Sequence, residues 1–113
     1  MIQRGEIYLV DWNPARGSEQ AGIRPALVIQ NDIGNRYSPT TIVAAISSAP
    51  ARGYPFHVRI SPEESGLPQD SVVKLEQIMT VSKERLVRKL GELPEARMAE
   101  VDQAIHRSLG LRD

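Results

Sequence analysis

Cysteine is absent from the 113 residues, which removes disulfide scaffolds, thiol nucleophiles, thiolate zinc sites and iron–sulfur ligation together. With no disulfide to place the chain outside the cell, the expected location is cytoplasmic. Long apolar runs are also missing. None approaches the roughly 18 residues of a membrane span, and the opening Met1-Ile2-Gln3-Arg4-Gly5-Glu6 has no signal-peptide core. Net charge is zero, with fourteen Lys plus Arg against fourteen Asp plus Glu. That balance excludes a histone-like cationic coat, so any nucleic-acid contact must be local. Several site signatures are lacking too: a glycine-rich phosphate loop, a nucleophile elbow, a His pair at metal-ligand spacing, and the clustered carboxylates of a two-metal nuclease. The simplest mechanism that survives uses no metal and no cofactor.

What is present suits one domain over residues 1–113, with 41% hydrophobic and 25% charged positions. A chain of this size hides roughly two-thirds of its extended surface on folding, so self-association would add useful burial. Eleven of the fourteen basic residues are Arg, whose planar fork of donors suits phosphate better than the point charge of Lys. Residues 1–60 carry six Arg against two Asp and two Glu, and residues 61–113 carry eight basic against ten acidic, giving +2 and −2.

The periodicity is mostly that of strands. Glu6 to Trp12 is β-branched and aromatic and stops at Asn13-Pro14. A polar loop with two glycines, Ala15 to Gly22, leads to a second strand, Ala26 to Asn31, with Arg24-Pro25 at its mouth. Asp32 to Pro39 reads as a loop. Thr41 to Ser48 reads as a strand buried on both faces. Phe56 to Ile60 alternates strictly, with His57 and Arg59 on the face opposite Phe56, Val58 and Ile60. A loop from Ser61 to Asp70 precedes a fifth strand, Ser71 to Met79. Ser82 is a candidate cap for a helical turn, and a short extended piece runs from Val87 to Leu90. Only the end is clearly helical: Pro94 near its start, Met98, Val101, Ile105 and Leu109 at helical spacing, and Gly110 as its stop. The pattern predicts a mainly β protein, a compact antiparallel sheet or barrel with an amphipathic C-terminal helix.

Of the two histidines, His106 falls off the apolar stripe of its helix and reads as solvent-facing. His57 has the right chemistry for a general base, but an unremarkable exposed strand histidine is the simpler reading. Chemistry-bearing residues concentrate in Arg16 to Pro25, where a carboxylate, Glu19, and two guanidiniums, Arg16 and Arg24, lie on or beside one loop. The set can handle a phosphodiester or be incidental charge on a hairpin.

Four segments in order resolve that choice: Arg4-Gly5-Glu6-Ile7-Tyr8, Gly17 to Asn31, Ile42 to Ile46, and Leu75-Glu76-Gln77-Ile78. Together they resemble the MazF/PemK family of toxins over almost the whole chain. The resemblance implies an SH3-like barrel and a homodimer. It implies a ribosome-independent endoribonuclease that cuts single-stranded RNA without metal, leaving a 2′,3′-cyclic phosphate and a 5′-hydroxyl. The implied partner, besides single-stranded RNA, is a cognate MazE-type antitoxin. By position, the catalytic residues implied are Arg24, Ser47 and Glu19. Family members usually carry Thr at the place of Ser47, which keeps the hydroxyl and loses a methyl. Arg16, Gln20, Asn31, Ser71, Glu76 and Gln77 are implied to contact RNA. The same barrel also hosts CcdB-type gyrase-binding toxins, which need no nuclease site. The present C-terminus lacks the aromatic anchor expected of such a binder.

Overall fold

The structure is a computed structural model, and it describes residues 1–13, 22–50 and 52–112. Six antiparallel strands, β1 (Glu6–Asp11), β2 (Ile23–Val28), β3 (Thr40–Ser47), β4 (His57–Ile60), β5 (Ser71–Ser82) and β6 (Leu86–Glu92), form one sheet in the order β4-β5-β3-β2-β1-β6. Among the described residues three helices accompany it: α1 (Asp32–Tyr37), α2 (Pro62–Ser65) and α3 (Glu95–Leu109). The alternation of β1 sorts its side chains to the two faces of the sheet. Ile7 enters the larger core with Leu27, Ala44, Val73 and Leu75, while Val10 joins Ala26, Val28 and Val43 in a smaller cluster flanked by Tyr8 and Trp12. The predicted C-terminal helix covers the larger core with Val101 and Ala104, and Gly110, at φ +70°, ends it.

The sheet curls because its ladders slip. Against β1, β6 shifts register between Ile7 and Tyr8 and again between Leu9 and Val10. Each such irregularity bends the strand and steepens its twist. The curl brings β6 against α2, the connection between β4 and β5. There a Cβ on Gly66 would lie 2.1 Å from the Leu90 carbonyl oxygen, and one on Gly91 2.3 Å from that of Ser65. Only residues without side chains allow this approach, which draws the two ends of the sheet together into the small barrel expected.

Four sequence expectations need correction. The second strand begins at Ile23 and not at Ala26, placing Arg24 and Pro25 within it. Pro25 is tolerated there because pairing with β3 starts only at Ala26, leaving Pro25 paired with Leu9 of β1 alone. Asp32 to Pro39 is not all loop, since it forms α1. Its stability comes from polar groups: Asn31 caps it, and Asn35, 1% exposed, donates to the Gln30 carbonyl and accepts from Thr41 Oγ1 and Gln30 Nε2. The Ser61 to Asp70 loop contains α2, opened by a capping box between Ser61 and Glu64. Neither histidine is plainly exposed: His106 is half-buried, and the His57 side chain is 7% exposed. The turn at Ser82 forms as expected, a 3₁₀ turn over Lys83–Arg85 with the Ser82 side chain accepting from the Glu84 N–H.

Candidate active site

The site opens where two neighbouring strands part. β2 and β3 pair from Val28↔Val43 to Ala26↔Ala45 and then separate. Beyond that point β2 follows β1, pairing Arg24 with Val10, and β3 follows β5, pairing Ser47 with Val72. Carried two residues further, the register sets Arg24 opposite Ser47. The two-residue period puts both on the same face as Ala26 and Ala45. A guanidinium and a hydroxyl thus flank the mouth of a gap between diverging strands.

That gap is a cleft of about 580 Å³. Its polar lining includes Arg24, Ser47, Ser71, Lys74, Gln77 and Arg88, and its apolar lining includes Leu9, Ile46, Leu67 and Leu90. Three cations and no carboxylate line it among the described residues. Apolar walls beside clustered charge of one sign focus the field and favour an anionic ligand. Ser47 Oγ accepts from the Ala49 N–H at 3.1 Å, a bond that does not use its own O–H as a donor. Ser71 is buried, and its hydroxyl donates to the Gln69 carbonyl at 3.0 Å. Ser48, Gln69 and Ser71 are shared with a second cleft of about 860 Å³ that contains Arg59, Arg97, Glu64 and Asp70. Its charges are mixed and partly spent on one another. The Ser61 backbone N–H and Arg97 hold the Glu64 carboxyl below the ordinary glutamate range, and Arg97 bonds Glu64 at 2.9 Å and Glu100 at 2.6 Å.

Of the nine residues singled out from the sequence, the structure brings Arg24, Ser47, Ser71 and Gln77 to one cleft. Arg16, Glu19 and Gln20 lie outside the described residues. Asn31 does not reach the cleft. It stands seven residues beyond Arg24, past the other end of β2 and roughly 20 Å away at strand rise, and its Oδ1 accepts from the Gly34 N–H at 2.8 Å as the cap of α1. Glu76 is also absent from the cleft lining, because its carboxylate turns toward β4 and meets His57 Nε2 at 2.9 Å. Lys74 and Arg88 are the residues that sequence reasoning missed. Lys74 adjoins the Leu75-Glu76-Gln77 segment, which is the one local hint. Nothing in the sequence marks Arg88, which reaches the cleft because β6 pairs it with Leu9. No group of three or more His, Asp or Glu among the described residues is placed to hold a metal ion. No helix there is long and apolar enough to cross a membrane.

Comparison with known proteins agrees with this geometry. A family model described as PemK-like, MazF-like toxin of type II toxin–antitoxin system matches residues 3–109. The Endoribonuclease MazF of Staphylococcus epidermidis is 52% identical over 114 aligned residues, covering 100% of this chain and 95% of that protein. Among solved structures, an endoribonuclease in complex with its cognate antitoxin from a mycobacterial species superposes with a TM-score of 0.84 at 26% identity, over 100% of this chain and 99% of that one. MazF from Deinococcus radiodurans gives 0.79 at 28% identity, over 97% of each chain. The parted strands, the cationic cleft and these full-length matches agree, and the chain belongs to the PemK-like, MazF-like toxins of type II toxin–antitoxin systems.

Proposed function

We propose that this protein is a toxin endoribonuclease that cuts single-stranded RNA at short sequences, using the ribose 2′-hydroxyl as nucleophile. The observation that carries the reading is the cleft between β2 and β3, in which Arg24 faces Ser47 and Lys74 and Arg88 add charge with no carboxylate among the described lining. The reaction requires a 2′-hydroxyl to lose its proton and attack the adjacent phosphorus in line. A new P–O2′ bond forms, the P–O5′ bond breaks, and the departing 5′-oxygen takes up a proton. The products are a 2′,3′-cyclic phosphate and a 5′-hydroxyl.

Arg24 suits the negative charge that builds on the equatorial oxygens, since a guanidinium stays protonated and donates in a fork to two oxygens. Ser47, already accepting from Ala49, donates its O–H to the scissile phosphate or the 2′-oxygen. Glu19 is the preferred base, because a guanidinium holds its proton too tightly to serve as one. The nucleophile comes from the substrate, so the chemistry calls for no metal or cofactor, and deoxyribose lacks the attacking group. Gln77, and in this reading Arg16, Gln20 and Ser71, bind exposed bases and backbone.

The toxin works as a cytoplasmic homodimer and is neutralised by a cognate MazE-type antitoxin that occupies the same cleft. The relatives described above are endoribonucleases, which favours this reading over a gyrase-binding toxin. The test is incubation of purified protein with long single-stranded RNA in chelator, with Arg24→Ala alongside. Specific fragments ending in cyclic phosphate are expected from the wild type alone. Intact transcripts, or cleavage by Arg24→Ala at the wild-type rate, overturn the proposal.

A further inference from the structure

The row of side chains that holds Ser47 continues past the cleft. β5 pairs Val72 with Ser47 of β3 on one side and with Arg59 of β4 on the other. Residues directly opposite one another share a face of the sheet, and the neighbouring positions Ile46, Val73 and Val58 enter the larger core. Ser47, Val72 and Arg59 therefore stand in line on the face turned away from that core. At strand spacing Arg59 lies roughly 10 Å from Ser47. The second cleft occupies this stretch: Val72 and Arg59 line it, and it meets the first cleft at Ser48, Gln69 and Ser71. Arg59 is the available cation there. Arg97 is taken up by Glu64 and Glu100, whereas the Arg59 side chain is exposed and has no hydrogen bond or ion pair among the described residues. β4 is the edge of the sheet, so no further strand stands beyond Arg59 to supply one.

We infer that the second cleft is a phosphate subsite on the RNA path, in which Arg59 holds a backbone phosphate of the nucleotides that flank the cut on one side. The inference rests on the reading of the first cleft as the RNA-cutting site and extends it. A strand whose scissile phosphate sits between Arg24 and Ser47 leaves where the two clefts join and meets Arg59 further along the same face. A guanidinium with no internal partner gives up nothing within the protein when it donates to a phosphate, and its fork matches two phosphate oxygens. Asp70, which also lines this cleft and has no ion pair among the described residues, repels the same phosphate and limits the gain. The contact is to the backbone, so it favours longer strands and reads no base. Made in ground and transition state alike, it acts on KM and not on kcat.

The experiment uses the full chain and a sequence that the wild type cuts, made as 2′-O-methyl single strands that bind without reacting and lengthened stepwise on one side of the cut or the other. Affinity is read by fluorescence anisotropy at several salt concentrations. Lengthening on one side only is expected to tighten binding about fivefold at a single step, the worth of a hydrogen-bonded charged contact at the surface, and to steepen the slope of log K against log salt by about 0.7. Arg59→Ala is expected to remove both gains and to bind the shortest strand as the wild type does. Arg59→Lys is expected to keep the steeper slope, since a single charge suffices for it. On cleavable RNA, Arg59→Ala is expected to raise KM about fivefold for the long strand and not for the short one, with kcat within about twofold in both. Absence of a step on either side, a step that survives in Arg59→Ala, a slope lost equally in Arg59→Lys, or an equal loss on the shortest strand overturns the inference, and the nuclease reading stands as long as the wild type cuts. Should the wild type neither bind nor cut any strand, the nuclease reading fails and the subsite falls with it.

Discussion

The cleft makes a quantitative statement about salt. Each cation that neutralises a phosphate of single-stranded nucleic acid releases bound counterions, and the slope of log K against log salt is about −0.7 per contact. Arg24, Lys74 and Arg88 line the cleft, and if each engages one phosphate the slope is about −2, a roughly twentyfold loss of affinity between 50 and 200 mM KCl. Removing one cation leaves about −1.4, or sevenfold, and removing two leaves about −0.7, or threefold. The assay is fluorescence anisotropy with a labelled single strand bearing 2′-O-methyl sugars throughout, which lacks the nucleophile. Arg24→Ala, Lys74→Ala, Arg88→Ala and the Arg24→Ala/Arg88→Ala pair are titrated at several salt concentrations. Arg24 and Arg88 are expected to contribute equally to this slope and unequally to catalysis. On cleavable RNA at saturation, Arg24→Ala loses about a hundred- to thousandfold in kcat, the cost of one preorganised donor, while Arg88→Ala stays within about threefold because its contact is made in ground and transition state alike. A wild-type slope near zero, or single variants that leave it unchanged, refutes the claim that these cations hold the phosphates.

Replacing the single ribose at the cleavage point by deoxyribose is expected to abolish cutting while leaving binding within about threefold, since only the attacking oxygen is lost; cleavage of that strand refutes the use of the 2′-hydroxyl. Ser47→Ala should lower kcat about ten- to a hundredfold, the worth of a hydrogen bond to a charged group, with KM little changed in steady-state assays. Gly66→Ala forces a Cβ to 2.1 Å from the Leu90 carbonyl oxygen at φ +76°, and a loss of about 3 kcal/mol is expected in urea unfolding; a change below about 1 kcal/mol contradicts the close approach. Burial tends to raise the Glu6 carboxyl, but Lys89, the Gln3 N–H and Tyr8 outweigh it and hold the group below its ordinary value; the Ser61 N–H and Arg97 do the same for Glu64. Groups lowered on folding add stability that is complete above their unfolded value of about 4.3 and lost as the pH falls through the lower folded value. The urea midpoint should therefore drop below about pH 4.3, less steeply in Glu64→Gln, as followed by circular dichroism between pH 5 and 3.

Local pattern was enough for β1, β3 and α3, whose apolar residues recur at strand or helix spacing. Where polar bonds hold an element together, hydrophobic periodicity is silent. α1 is a six-residue helix with Gly34 inside it, stabilised by Asn31, Asn35 and Gln30 and not by an apolar stripe. α2 does carry a local signal, the Ser61-Pro62-Glu63-Glu64 capping box, but the helix it opens is only four residues long, too short to show a helical period.

The sequence by itself determined the class of the molecule and pointed to two candidate groups for its site. Strand periodicity and a helical end point to a small β protein, and the resemblance of four ordered segments to the MazF/PemK toxins implies Arg24 and Ser47 as its site residues. Only the tertiary structure decided what surrounds them. Lys74 and Arg88 come from strands 50 and 64 residues further along than Arg24, and ladder slippage carries them to the cleft. The same slippage sends Glu76 to His57 and Gln77 to the cleft. Alternation along a strand is a local property, whereas the register between strands depends on packing across the whole barrel, and a slip of a few residues changes which side chains meet.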